Sequence, residues 1–256
     1  MNRILFEKSE ITDGVATFGG ERAEHVMNVL HGEVGQILKT GEIDGPIGTS
    51  VITAISRPPS SVLGPLITVS CAHAEKSLSP WVDLILAPPR PRVMKRLLPQ
   101  LATLGVGRIF LVGAKKVEKD FWGATLLKEE NYRPLLVDGL MQAGTSLLPT
   151  LETRRNFRKF VTDELDALFP ASARIVAHPY GNLQPPTFNL PPPTSNLQPP
   201  TSNLLLAVGP EGGWTDEEVS LLEEHGFARY SLGSRILRTD TATIALLAQL
   251  MQRFDR

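Results

Sequence analysis

The N-terminal part of the chain shows short apolar or alternating runs separated by turn-rich Gly, Pro, Asp and Ser. These runs predict strands at residues 3–6, 15–18, 34–39, 51–55 and 66–70. Only residues 21–30 have helical spacing, which places Val26, Val29 and Leu30 on one face. The pattern is typical of a small β-barrel, so residues 1–72 are predicted to form a first domain of that kind.

From Trp81 onward the pattern changes to an alternation of strands and helices. Apolar runs predict strands at 82–87, 108–112, 174–177, 204–208 and 228–232. Helical spacing predicts helices at 93–104, 215–225 and 241–252. Such alternation favours an α/β fold with a mostly parallel sheet, which we assign to a second domain at residues 73–256.

Residues 182–203 interrupt this second domain with a seven-residue repeat of the type NLQPPTF, NLPPPTS, NLQPPTS. Its prolines remove amide donors and its polar residues offer little to bury. The repeat predicts an extended, polyproline-like or disordered insertion, to which we assign no function.

The composition narrows the possible functions. The chain has 256 residues, with 26 Lys and Arg against 27 Asp and Glu, so its net charge of −1 provides no global basic field and any RNA contact must be a local patch. A single cysteine, Cys71, excludes an internal disulfide. No apolar run reaches the roughly 20 residues that span a bilayer, and we expect a soluble cytoplasmic protein without membrane association.

Familiar catalytic motifs are missing from the sequence. It contains no GxGxxG, no GxxxxGK[ST] and no GxSxG. The histidines do not have metal-ligand spacing, so no metal site is predicted; they are His25, His31, His73, His178 and His225.

The first candidate site is the segment LLLAVGPEGGWT at residues 204–215. A buried-strand run leads directly into Gly209, Pro210, Glu211, Gly212 and Gly213. Glycines at the carboxyl end of a parallel strand let backbone approach a ligand, and open α/β sheets bind ligands at this edge. The alternative is a tight turn, but turns rarely need so many glycines.

The second candidate site is YSLGSRILRTDTA at residues 230–242, where a strand ends in Gly233 before the last helix. Arg235 and Arg238 could hold a phosphate or an enolate-like anion beside the helix N-terminus. Alternatively the two arginines are solvated surface cations, and Asp240 is a helix N-cap or first-turn acid. Spacing alone leaves these alternatives open.

Together, GPEGGWTDEEV at 209–219 and LGSRILRTDTA at 232–242 resemble the paired C-terminal signature of the SPOUT methyltransferases of the ribosomal RNA small subunit methyltransferase E family. Weaker similarity covers most of the chain. The resemblance implies a PUA-like barrel followed by a trefoil-knotted domain that dimerises. It also implies transfer of a methyl group from S-adenosylmethionine to N3 of a uridine in small-subunit ribosomal RNA, as free RNA or in the assembled small subunit.

The resemblance also implies roles for individual residues. Arg238 would stabilise the uridine anion or its phosphate, and Asp240 would act as a base or orient Arg238. Arg3, His25 and Lys95 would hold the RNA. The cofactor would be bound mostly through backbone groups of His178, Gly209, Pro210, Glu211, Gly212, Leu232, Gly233, Ile236 and Leu237.

The chain departs from the family pattern at several positions. Asp240 stands where Glu is usual, His31 where Arg is common, and Thr103 where Glu is usual, while Pro99 falls inside a predicted helix. Residues 141–145 lack two charges that the family has. The missing charges near Gly144 and the change to Asp240 leave open a second function, an RNA-binding ribosome-assembly factor that has lost catalysis. A further alternative is a different α/β enzyme acting on a nucleotide or small metabolite, which would need neither the barrel nor RNA.

Overall fold

A computed structural model describes residues 2–57, 64–170, 172–182 and 204–254, with side chains described to residue 252. The chain divides into two compact units, Met1–Leu78 with Val137–Leu148, and Ser79–Leu136 with Pro149–Arg256. The predicted insertion at 182–203 lies outside the described residues except for Asn182.

The first unit contains a six-stranded sheet in the order β1-β4-β5-β6-β3-β2. Its strands are β1 (Ile4–Phe6), β2 (Ile11–Thr12), β3 (Val15–Phe18), β4 (Ile37–Glu42), β5 (Ile47–Ser56) and β6 (Leu66–Glu75). Strand β1 pairs with β4 in parallel and the other pairs are antiparallel. Helix α1 (Gly20–Asn28) places Val26 in the core with Phe6 and Phe18. The predicted strands are confirmed, and so is the helix, but it ends at Asn28: Val29 and Leu30, which were expected to share the buried face of Val26, lie beyond its end and are exposed.

This first unit extends beyond the predicted boundary at residue 72. Strand β6 continues to Glu75, and residues 137–148, which the sequence had assigned to the second domain, belong here as well. The reason is a set of hydrogen bonds between residues that are far apart in the sequence. The amides of Asn2 and Arg3 both donate to the carbonyl of Met141 at 3.0 Å, and the Ser146 hydroxyl donates to the Gly45 carbonyl at 2.6 Å.

The second unit is built on a six-stranded sheet in the order β12-β10-β11-β7-β8-β9. Its strands are β7 (Val82–Leu86), β8 (Val106–Val112), β9 (Thr150–Arg154), β10 (Ala173–Asn182), β11 (Leu204–Val208) and β12 (Ala228–Tyr230). All neighbouring strands are parallel. Every residue of the adjacent strands β7 and β11 is buried, as expected for central strands covered on both faces.

The helices of the second unit are α2 (Pro91–Thr103), α3 (Glu129–Ala143, whose end belongs to the first unit), the short turns α4 (Phe157–Lys159) and α5 (Leu165–Leu168) on either side of a π-helical segment, α6 (Asp216–Glu224) and α7 (Thr239–Phe254). Helix α2 continues through Pro99. No helix within the described ranges is long and apolar enough to cross a membrane.

Candidate active site

Because the strands of the second sheet are parallel, their carboxyl ends lie along one edge, and both signature segments follow strands that end there. Residues 209–215 follow β11, and residues 231–238 follow β12. One hydrogen bond joins the two segments, since the buried hydroxyl of Thr239 donates to the carbonyl of Gly209 at 3.3 Å. The structure therefore brings the two segments together.

The glycines of the first segment do not all have the same explanation. A Cβ on Gly209 would lie 3.0 Å from the ring of Trp214, which is only 7% exposed and packs on Phe157 at 5.2 Å between centroids. Gly213 has a φ of +71°, a conformation that favours glycine, and its amide donates to the Pro210 carbonyl at 2.8 Å. The turn itself thus requires glycine at 209 and 213.

Gly212 is different, because the turn does not require its lack of a side chain. Its backbone is outside the left-handed region, and the three atoms nearest to a Cβ there all belong to the side chain of Lys116, of which Cδ lies 3.0 Å away. The Lys116 side chain is flexible, and its Nζ donates to the Gly212 carbonyl at 2.8 Å. An exposed glycine at the binding edge of a parallel sheet is the feature expected where a ligand approaches the backbone.

The exit of the first segment is held by a capping box. The hydroxyl of Thr215 accepts from the amide of Glu218 at 3.3 Å, and Glu218 Oε2 accepts from the amide of Thr215 at 2.9 Å. Glu218 Oε1 also accepts from the amide of Lys115 at 2.7 Å, which ties the chain after β8 to the start of α6. The spacing of Thr215 and Glu218 in the sequence is that of a capping box, and the structure contains it.

Replacing Thr215 by alanine should lower the free energy of unfolding by about 1 kcal/mol, since one amide of the first turn loses its acceptor. Thr215→Ser keeps a hydroxyl at the same position and serves as the matched control. Urea denaturation followed by circular dichroism measures both. Equal stability of the two variants would contradict the assigned role of the cap.

The second segment combines a fixed start with an exposed end. Ser231 Oγ donates to the carbonyl of Pro179 at 2.9 Å and accepts from the amide of Gly233 at 3.2 Å. Gly233 has a φ of +124°, which favours glycine at this turn. Leu232 is half-buried, whereas Ile236 is 82% exposed. The start of the segment is thus anchored to the chain that follows His178.

His178 lies within β10 beside this anchor, and its environment favours the neutral ring. Burial lowers the pKa of His178, and the charge of Arg229 lowers it further. His178 Nδ1 accepts from the amide of Tyr180 at 3.2 Å, so the ring proton of the neutral form is on Nε2. The Nε2–H group remains as a hydrogen-bond donor.

Arg238 and Asp240 stand at the start of α7. The carbonyl of Arg238 accepts the amide of Ala242 at 2.8 Å, and its exposed guanidinium has no hydrogen bond or ion pair within the part of the chain that is described. Asp240 is in the first turn of α7, so of the two helix-end alternatives the first-turn acid applies. Its Oδ2 lies 3.6 Å from Nη2 of Arg96, on α2.

The residues predicted to hold RNA are distributed over both units. Arg3 uses its guanidinium within the first unit, where Nε donates to Gly144 and Nη1 to Thr40 and Gly48, at 2.9, 2.6 and 2.8 Å to their carbonyls. Arg3 therefore contributes to the structure and keeps only Nη2 for a ligand. His25 is half-buried in α1, and Lys95 is exposed on α2.

Sequence reasoning missed three residues of this site: Thr239, Trp214 and Arg96. Thr239 links the two segments, Trp214 packs against Gly209, and Arg96 faces Asp240. A sequence signal existed only for Arg96, which has helical spacing with Arg92 and Lys95 and forms with them a cationic stripe on α2.

Comparison with known proteins gives the class of the second unit. The sequence model of the family described as RNA methyltransferase domain matches residues 76–251, which include both signature segments and all of α2. The segment that carries the candidate site is therefore an RNA methyltransferase domain.

Individual relatives give the particular family. The ribosomal RNA small subunit methyltransferase E of Treponema pallidum (strain Nichols) is 30% identical over 254 residues, which are 98% of this chain and 91% of that protein. The protein named ribosomal RNA small subunit methyltransferase E 1 of Borreliella burgdorferi is 24% identical and covers 96% of this chain and 95% of that protein. The chain belongs to the ribosomal RNA small subunit methyltransferase E family, and the predicted resemblance is confirmed.

A solved structure has the same fold. The crystal structure of a ribosomal RNA small subunit methyltransferase E from Neisseria gonorrhoeae, bound to S-adenosyl methionine, superposes with a TM-score of 0.69 at 19% identity. The match covers 98% of this chain and 97% of that chain. At this identity the likeness concerns the fold alone.

Proposed function

We propose that this protein transfers a methyl group from S-adenosylmethionine to N3 of a uridine in small-subunit ribosomal RNA. The observation that carries this function is the edge of the second sheet, where two glycine-containing segments are joined by the bond from Thr239 to Gly209. The family membership and the name of the Treponema pallidum relative support the substrate class.

The residues present at this edge fit the cofactor. Gly212 provides a backbone surface that a side chain would cover, and neutral His178 offers an Nε2–H donor without adding a positive charge near a sulfonium. The segment residues that would line the cofactor are Gly209, Pro210, Glu211, Gly212, Leu232, Gly233, Ile236 and Leu237. When bound, S-adenosylmethionine supplies an activated methyl group.

The chain's own residues would prepare the nucleophile. A neutral uridine N3 is a poor nucleophile until its proton leaves, so the site must accept a proton and stabilise the resulting charge. Asp240 would accept the proton at a carboxylate oxygen, and Arg238 would stabilise the uridine anion. The N3–carbon bond then forms as the sulfur–carbon bond breaks, leaving S-adenosylhomocysteine and methylated uridine.

The proposal also covers the residues that contact RNA, the folds of the two units, the oligomeric state and the location of the protein. The Nη2 of Arg3, together with His25, would contact RNA from the first unit, and Lys95 would contact it from α2. We also propose that the first unit is a PUA-like barrel, that the second contains a trefoil knot, and that the protein is a homodimer. The cytoplasmic location follows from the proposed substrate, which is ribosomal RNA or the assembled small subunit.

The structure weakens the main argument for a non-catalytic assembly factor. The altered segment at 141–145 belongs to the first unit, where the Met141 and Gly144 carbonyls accept hydrogen bonds from residues 2 and 3. These contacts use backbone carbonyls, so they do not depend on the charges that the segment lacks. Family membership in turn opposes an unrelated nucleotide or metabolite enzyme.

Two measurements test the proposed function. Calorimetry should show binding of S-adenosylmethionine to the purified protein. Mass spectrometry should then detect 3-methyluridine in small ribosomal subunits from a deletion strain after incubation with protein and cofactor. Cofactor binding without methylation would favour the assembly factor, and absence of cofactor binding would overturn the proposal.

Gly212→Ala should weaken cofactor binding at least about tenfold, equivalent to about 1.4 kcal/mol, while the protein stays folded. The added methyl group would stand where the ligand approaches, and its nearest neighbour is the flexible side chain of Lys116, which can move away. The matched control is Gly123→Ala, because a Cβ there has nothing within 4 Å. If both variants bind the cofactor equally well by calorimetry, Gly212 does not line the cofactor site.

A further inference from the structure

A cluster of cations lies at the carboxyl ends of β8 and β9, and it includes none of the residues assigned to cofactor binding or catalysis. A cavity of about 360 Å³ opens there, and Lys115, Arg155 and Arg158 are the cationic residues that line it. All three are exposed, and none forms an ion pair within the described ranges. We call these three side chains, together with Trp122, the β8–β9 basic surface.

We propose that the β8–β9 basic surface binds a single-stranded segment of the RNA substrate, with phosphates on its cations and a base on Trp122. This inference rests on the proposed function for the identity of the RNA. The proposed RNA contact involves residues outside the two signature segments, and none of them has been assigned a role above.

The arrangement of Arg155 supports a nucleic-acid ligand. Its guanidinium carbon lies 5.6 Å from the centroid of the Trp122 ring, and its Nη2 donates to the Trp122 carbonyl at 3.2 Å. Phe121, which is buried, packs edge-on against the same ring at 5.4 Å. A half-exposed aromatic ring held beside an oriented arginine is the combination that single-stranded nucleic acids use for stacking and phosphate contact.

The acidic residues of the cavity do not cancel its cations. Glu217 and Glu218 also line it, but both carboxylate oxygens of Glu218 accept backbone amides, from Lys115 and Thr215. The lining therefore carries three cations against two carboxylates, and one of these carboxylates, Glu218, has both oxygens engaged by the backbone. Phe157 and Leu221 add apolar wall, which suits the face of a base better than a fully hydrated ion.

The β8–β9 basic surface adjoins the first of the two segments that are proposed to bind the cofactor. Lys115 is followed by Lys116, whose Nζ donates to the carbonyl of Gly212, and the amide of Lys115 is tied to Glu218 at the start of α6. A strand of RNA that presents its uridine at the cofactor segments can therefore continue past Lys116 onto Lys115 and Arg155. Because the net charge of the chain is −1, local clusters of this kind must provide its attraction for phosphate.

The test compares Arg155→Gln and the double variant Arg155→Gln/Arg158→Gln with wild type in binding to small-subunit ribosomal RNA. Each lost phosphate contact should weaken binding roughly three- to tenfold at low salt and reduce the slope of log K against log salt by about 0.7. KM for RNA should rise while kcat at saturating RNA and cofactor affinity stay unchanged. Lys128→Gln is the control, because it removes one charge from a side chain that already faces Glu130 and does not line the cavity.

Tryptophan fluorescence gives a second readout that does not depend on charge. Trp81 and Trp214 are 4% and 7% exposed, whereas Trp122 is half-exposed, so RNA stacking should quench mainly Trp122. Trp122→Phe should remove most of the RNA-induced quenching.

The possible failures are distinguishable. If wild type neither binds nor methylates the RNA, the proposed function fails and this inference fails with it. If wild type methylates RNA while the Arg155 variants keep its affinity and salt slope, as Lys128→Gln should, only the β8–β9 surface is rejected. RNA-induced quenching that persists in Trp122→Phe would reject the stacking contact.

Discussion

Arg238→Ala is expected to lower the rate of methyl transfer about a hundredfold or more while S-adenosylmethionine binds nearly as well as to wild type. Removing one preorganised donor from a developing anion has an effect of this size. The guanidinium of Arg238 is exposed and not engaged by any acid among the described residues, so it is available for charge that arises only during the reaction. The variant should therefore lower the rate of the chemical step without changing the affinity for the cofactor.

The matched control is Arg235→Ala, which removes the same charge from the same exposed segment three residues earlier. Single-turnover methylation of small subunits measures the chemical step, and calorimetry measures cofactor affinity. If the two arginine variants lose rate equally, the effect is one of local charge. If Arg238→Ala retains the wild-type rate, the anion is stabilised by another group.

Asp240→Asn is expected to lower the single-turnover rate by about a hundredfold or more, whereas Asp240→Glu should keep most of it. Asparagine has nearly the same shape but cannot take the uridine proton. Glutamate restores a carboxylate, and it is the residue that the family pattern has at this position. Loss of an acid in the first turn of α7 costs only about 0.3–1 kcal/mol, so Asp240→Asn should remain folded.

Arg96→Ala tests how much the contact between α2 and Asp240 contributes to the rate, and Asp240→Asn tests whether Asp240 is the base. Asp240 Oδ1 accepts from the amide of Thr241 at 3.0 Å, and Oδ2 lies 3.6 Å from Arg96 Nη2, so α7 and α2 both contact the carboxylate; Arg238 has no ion pair with it among the described residues. If Asp240 is the base, Arg96→Ala should lower the rate less than Asp240→Asn does. If Asp240→Asn is as active as wild type, Asp240 is not the base, and the charge held by Arg238 accounts for the mechanism.

The sequence by itself determined the elements with strong periodicity and the two segments that form the site. The fully buried strand β11 reads as a continuous apolar run, and β7 is apolar except for Asp83. The capping box at Thr215 is a local pattern of two residues. The signature segments were recognisable because their glycines and charged residues are close together in the chain. Patterns of this kind depend on neighbours within a few residues, which the sequence shows directly.

Other elements were missed because their local pattern is weak. Helix α3 contains Pro134 and has little separation of apolar and polar faces, and no residue of the edge strand β9 is fully buried. Packing in the folded chain stabilises such elements.

Only the tertiary structure decided which residues of the site work together. Thr239 contacts Gly209 from 30 positions away, and Arg96 meets Asp240 from another helix. Arg155 is oriented by Trp122, 33 positions earlier, and Arg3 is engaged by carbonyls of the first unit. Pairings over such separations are set by strand order and helix packing, and periodicity along the chain carries no information about them.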